Sequence, residues 1–218
     1  MIKCIFNLFF IFNLISNTYI TNYFDNPIIP IKKDTLKIKE IDGGYSIYLD
    51  NVRSIKLIND SSSATYLILP DKNKVKLDFY IIPPYLTGAY LLNLNGFGKI
   101  LALESYIVGA VGLSANIINV SLIFLDKNFK VLSYNSFYGG INLLYVKDNK
   151  FLLNIYDYNE IDNNDNIAYC LNIFELTKDG FQLSDSLPKC YIYTDDNQLK
   201  IYDSCKCKTL NKPYVLFR

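Results

Sequence analysis

Apolar and polar residues alternate with period two along most of the chain beyond Leu36. The alternation is plain in Leu36-Lys37-Ile38-Lys39, Tyr45-Ser46-Ile47-Tyr48-Leu49, Val75-Lys76-Leu77-Asp78-Phe79 and Leu199-Lys200-Ile201-Tyr202. Successive strand side chains leave opposite faces, so this pattern predicts half-buried β-strands. Between such stretches stand five clusters of turn residues: Pro70-Asp71-Lys72-Asn73-Lys74, Asp126-Lys127-Asn128, Lys147-Asp148-Asn149-Lys150, Thr177-Lys178-Asp179-Gly180 and Thr194-Asp195-Asp196-Asn197. Asn, Asp and Gly tolerate left-handed backbone and cap their own turns, so each cluster predicts a tight hairpin. Their spacing is uneven, which argues against a strict repeat.

No window of a dozen residues combines a 3.6-residue apolar stripe with a starting cap and a terminal Gly. The least polar region is 88–121, where Lys99 and Glu104 are the charged residues. Gly96, Gly98, Gly109 and Gly112 favour tight bends and close-packed strands there over a helix, and the depth of the apolar run predicts the centre of the core. The fold class expected is all-β, with antiparallel hairpins forming a sandwich, a barrel or a small propeller-like meander.

The first residues break the alternating pattern. Lys3 precedes an apolar run, Cys4 to Ile15, interrupted by Asn7 and Asn13. That run is shorter than the ~20 residues a membrane-spanning helix needs and has the order of a signal peptide. The reading is a signal peptide over 1–18, cut between Ser16 and Thr21, with no transmembrane span after processing. An extended lead-in over 19–34 follows, because Pro27 and Pro30 fix φ and donate no ladder hydrogen bond. A single all-β domain is expected over 35–218, in a secreted or periplasmic protein.

Charge and composition then remove function classes. The chain has 22 Lys+Arg against 21 Asp+Glu, a formal net charge of +1, so it carries no global field for phosphate backbones, and nucleic acid is not an expected partner. Asn, Lys, Ile and Tyr all have AT-rich codons, so the 19 Tyr residues are not by themselves a functional sign. The chain has no His. That excludes Ser-His-Asp, Cys-His and His-zinc chemistry. No cofactor fingerprint is present, and neither a cofactor nor a metal is expected.

Cysteine supplies the strongest local signal. With Cys4 discarded in the signal peptide, Cys170, Cys190, Cys205 and Cys207 remain, an even number near the C-terminus. In an exported protein these predict two disulfides, and since bonding Cys205 to Cys207 would close a strained small ring, each is expected to reach back to Cys170 or Cys190.

Three further constellations carry possible chemistry. Glu104 lies within the apolar run Ile100 to Val108, where burial would raise a carboxyl pKa towards that of a general acid, and Asp78 is a conceivable partner for two-carboxylate glycan hydrolysis. The alternative for Glu104 is an outward position or a pair with Lys99. Asp157, Asn159, Asp162, Asn163 and Asp165 offer oxygen ligands of the kind calcium takes, but without EF-hand spacing, so a solvated loop is the reading preferred. Tyr134, Tyr138 and Tyr145, near Gly139-Gly140, could form an exposed aromatic platform for a sugar or peptide. The expected function is that of an exported, non-catalytic binding domain recognising an extracytoplasmic protein or glycan. The alternatives are a carboxylate-dependent glycan hydrolase with Glu104 as acid, and a structural envelope protein.

Overall fold

The computed structural model describes residues 29–61, 63–110, 115, 117–126, 129–137, 139–161, 167–184, 189–193, 199–201 and 210–214. The signal-peptide reading falls outside them. Among the described residues the protein is all-β, with a short 3-10 turn at Gly140–Leu143. In chain order the strands begin with β1 (Ile29–Pro30), β2 (Lys33–Thr35), β3 (Lys37–Ile41), β4 (Gly44–Tyr48), β5 (Ser54–Asn59), β6 (Thr65–Ile68) and β7 (Lys74–Lys76). Four central strands follow: β8 (Leu86–Leu94), β9 (Gly98–Tyr106), β10 (Ile117–Phe124) and β11 (Val131–Phe137). The remainder are β12 (Leu144–Lys147), β13 (Lys150–Ile161), β14 (Ile167–Leu176), β15 (Phe181–Leu183), β16 (Lys189–Tyr193) and β17 (Leu199–Ile201).

All five hairpins expected from turn chemistry form, as the pairs β6/β7, β10/β11, β12/β13, β14/β15 and β16/β17. The β12/β13 turn shows why: Asp148 and Asn149 sit at φ 51° and 61°, a left-handed pair that Asp and Asn accept more readily than most residues. The lead-in is more structured than its prolines suggested. Ile29–Pro30 pairs with β12 and Lys33–Thr35 pairs with β8. Both are edge strands, and an edge position spares Pro30 a ladder bond it could not donate.

Where one domain was expected over 35–218, the described residues divide into two compact units, one of Ile31–Ile141 and one of Asn142 onward joined by Ile29–Pro30. The division follows Gly139 and Gly140, both at positive φ. In the first unit two antiparallel sheets, of order β11-β10-β9-β8-β2 and β3-β4-β5-β6-β7, make a sandwich rather than a closed barrel. Leu101, Leu103 and Ile123 of one sheet share a core with Ile55, Leu57 and Leu67 of the other. Each such side chain is fully buried, worth ~1.5–3 kcal/mol before the opposing conformational entropy. The region expected at the core's centre is there, as β8, β9 and β10.

The second unit is built on one sheet, with order β1-β12-β13-β14-β16-β17 and β15 also paired to β14. Its buried side chains include Leu153, Ile155, Ala168 and Phe174. Among the described residues no helix is long and apolar enough to cross a membrane.

Candidate functional site

Two sets of buried polar groups lie on the two faces of the β2/β8–β11 sheet. Register assigns the faces. Gly88, Glu104, Val120 and Tyr134 stand opposite one another across β8, β9, β10 and β11, whereas the neighbouring row consists of Ser105, Asn119 and Asn135. One residue along a strand reverses the side-chain direction, so these rows occupy opposite faces.

Glu104 is 9% exposed. Its Oε1 accepts the Ile141 N–H, and its Oε2 accepts the Tyr90 hydroxyl at 3.0 Å. The Tyr134 hydroxyl donates to the Gly140 carbonyl at 3.0 Å, so the same few residues hold the Gly139–Ile141 turn from two sides. Gly140 has no substitute here, because a Cβ would drive into Glu104 Oε1 and its φ is +48°. Burial and the Glu104 charge both push the Tyr90, Tyr106 and Tyr134 hydroxyls above the usual tyrosine pKa, with burial the larger cause. Lys33 stands 4.7 Å from the Tyr90 ring centre; burial lowers its pKa and Glu104 partly offsets that. Neither an outward position nor a Lys99 pair describes Glu104, whose two oxygens are committed to groups of the fold.

The opposite face carries a different arrangement. Ser105 is fully buried and Asn119 is 5% exposed, yet among the described residues Ser105 Oγ and Asn119 Oδ1 have no hydrogen-bond partner. Asn119 and Asn135 form part of the lining of a cleft of about 360 Å3. Ile107 and Val108 add an apolar wall, and the segment after β7 contributes Asp78, Phe79 and Tyr80. Asp78 is exposed and Tyr80 half-buried, whereas Phe79 packs on the core. Asp78 and Glu104 thus belong to opposite faces of the sheet and do not form the carboxylate pair considered from sequence.

The remaining candidates are dispersed. Tyr134 and Tyr145 are 0% and 2% exposed, the latter donating to Asn154 Oδ1 at 3.1 Å, so neither offers a ring face to a ligand. The expected platform is corrected accordingly: both rings fill core positions, as Tyr commonly does in strands. Tyr138 lies outside the described residues. So do Asp162, Asn163 and Asp165, while Asp157 is a β13 residue opposite Cys170; among the described residues no group of His, Cys, Asp or Glu could hold a metal. Cys205 and Cys207 are also outside them. Cys190 is the register partner of Cys170 across β14/β16, which brings together two cysteines that the sequence argument had assigned to Cys205 and Cys207.

Sequence reasoning passed over Ser105, Asn119 and Asn135. The available signal was polar residues on the inward beat of otherwise apolar strands, as in Ile117-Ile118-Asn119-Val120. No protein-family model, curated protein or solved structure matches the chain.

Proposed function

We propose that the chain is an exported, non-catalytic binding domain that recognises a protein or a glycan outside the cytoplasm, with the cleft at Asn119 as its recognition site. The observation that carries this reading is a cleft of about 360 Å3 that joins the amide residues Asn119 and Asn135 to the apolar Ile107 and Val108 and the aromatic Tyr80. Binding is favoured over two-carboxylate hydrolysis because Asp78 and Glu104 stand on opposite faces of a sheet, whereas such catalysis needs both on one cleft ~5–9.5 Å apart.

Export is supported by Lys3 and the Cys4–Ile15 run, and by the opposition of Cys170 and Cys190. Directly opposed antiparallel residues have Cα atoms ~4.5–5.5 Å apart, within the span of a disulfide. A Cys170–Cys190 bond fits an oxidising compartment. Alkylating the unfolded, unreduced protein should leave both thiols unlabelled and reduction should expose them; free thiols at both positions would count against export.

Immobilised domain, wild-type and Asn119→Leu, exposed to extracytoplasmic extract of the native host tests the binding reading. Retention of a component by the wild type and its loss from the variant is the expected result. Glycan cleavage that vanishes in Glu104→Gln would overturn it in favour of hydrolysis.

A further inference from the structure

We propose that the outer face of the β3–β7 sheet is a binding surface for a linear anionic glycan whose carboxylates recur once per disaccharide. This goes beyond the binding reading above, because the surface belongs to the other sheet of the first unit and owes nothing to the Asn119 cleft.

Strand register gathers the positive charge. In β3–β7 the beat that includes Ile47, Ile55 and Leu67 is turned into the sandwich core, so the alternate beat faces outward. On that outward beat stand Lys37 and Lys39 of β3, Lys56 of β5, and Lys74 and Lys76 of β7, all exposed. Pairing runs Lys39, Ser46, Lys56, Ile68, Lys74 across the five strands, which sets three of the lysines in one row perpendicular to the strands. No acidic residue interrupts the outward beat. Glu40 belongs to the inward one, opposite Tyr45, and Asp42, Asp50, Asp60 and Asp71 lie in the connecting turns. Among the described residues none of these five lysines has an ion pair. Two of them are held by aromatic rings instead: Lys74 Nζ is 3.7 Å from the Tyr66 ring centre and Lys37 Nζ is 5.8 Å from that of Tyr48. A formal net charge of +1 for the whole chain therefore conceals a local field of one sign.

The spacing of the charges selects among polyanions. Adjacent strands lie ~4.8 Å apart, so Lys39, Lys56 and Lys74, on every second strand, stand ~9.6 Å from one to the next. A glycan of alternating acidic and neutral rings presents its carboxylates at close to that interval. An extended acidic peptide repeats its same-face side chains every ~6.7 Å, and nucleic-acid phosphates follow one another more densely than the lysines do. Single-stranded nucleic acid also stacks its bases on open aromatic faces; here ammonium groups already stand over the Tyr48 and Tyr66 rings. An anionic membrane is a plane, whereas successive strands rotate by ~20–25°, so the lysines lie on a twisted surface that a flexible chain can follow and a flat one cannot. Lysine in place of arginine fits single carboxylates met as point charges.

The test is isothermal titration calorimetry of the full chain at low salt against a hyaluronan decasaccharide, which bears a carboxylate on every second ring. A glutamate peptide and an oligothymidylate of equal charge, neutral chitopentaose and phosphatidylglycerol vesicles are the comparison probes. Hyaluronan should bind more tightly than any of these, and added salt should weaken it. Lys39→Gln/Lys56→Gln/Lys74→Gln should weaken it about tenfold, the combined effect of three exposed charge contacts. Lys32→Gln/Lys99→Gln/Lys212→Gln removes the same charge from exposed positions elsewhere and should leave the affinity unchanged. All six are surface positions, where substitution is tolerated by the fold. Silence towards hyaluronan, a peptide, oligothymidylate or vesicle bound as tightly, or an equal loss in the second triple variant would overturn the proposal. Asn119→Leu should leave hyaluronan affinity as it is, so the failure of this proposal and the failure of the cleft reading are told apart.

Discussion

Glu104 and Asn119 are buried in the same sheet, on adjacent strands and opposite faces, and differ in how their polar atoms are answered. Glu104 has its two oxygens satisfied by Ile141 and Tyr90, from positions 37 and 14 residues away in sequence. Among the described residues Asn119 Oδ1 has no partner. A satisfied buried carboxylate ties a turn to a strand and is part of what specifies the fold, whereas an unanswered amide beside a cleft is a cost the fold carries. Sequence alone made Glu104 look like the reactive group, because a charge in an apolar run is conspicuous. The structure shifts attention to the neutral residue on the other face.

The comparison breaks most visibly at Glu104. Glu104→Ala strands the Ile141 N–H and the Tyr90 hydroxyl, each costing ~1–3 kcal/mol, so urea unfolding should show a loss of about 4 kcal/mol. Gly140→Val should be destabilising at the same turn, since its Cβ competes for the space of Glu104 Oε1 at positive φ. A change below ~0.5 kcal/mol in Glu104→Ala, the scale of an ordinary surface substitution, would show the carboxylate to be a spectator.

Asn119→Leu sharpens the contrast by reversing its sign. Replacing an unanswered polar group by an apolar one of similar size removes a desolvation cost, so stability should be unchanged or should rise by up to ~1 kcal/mol. Equal losses at Asn119 and Glu104 under the same urea conditions would mean that Asn119, too, holds the fold, and would dissolve the distinction.

What was legible follows from the range of the interactions. Each hairpin turn is written in four or five consecutive residues, and a left-handed Asp148-Asn149 turn needs nothing from elsewhere, so the strand pairs around the turns could be read. The apolar depth of 88–121 likewise marked the core. Which residues share a row could not be read, because it depends on register across β9, β10 and β11, and a one-residue slip would exchange Glu104 for Ser105 on the cleft face. For the same reason the sequence suggested Asp78 as a partner for Glu104, and turned Tyr134 outward when the fold buries it. The opposition of Cys170 and Cys190 depends on β16 returning beside β14, a non-local pairing with no signature in either strand.

A surface carboxylate of the same unit sets a smaller effect than Glu104. Asp50, in the β4/β5 connection, lies at the surface, where its Oδ1 accepts the Arg53 N–H at 2.7 Å and the Val52 N–H at 2.9 Å. Its Oδ2 takes the Arg53 Nε donor at 2.7 Å. The Arg53 backbone N–H, then the Val52 N–H and the guanidinium, hold its carboxyl down at about 2, against an ordinary value of 3.8. The folded-state pKa is depressed, so the ionised form is favoured by folding. Its contribution is fully present above the unfolded value near 4 and is lost as pH falls through about 2. Wild type should therefore exceed Asp50→Ala in stability at neutral pH, with the gap closing between those two values as acid is added. Solvent and salt screen so exposed a group, and the difference should be well below the loss in Glu104→Ala. The carboxyl carbon resonance of Asp50 reports the titration directly: a midpoint near 4 would mean that the turn does not grip the carboxylate.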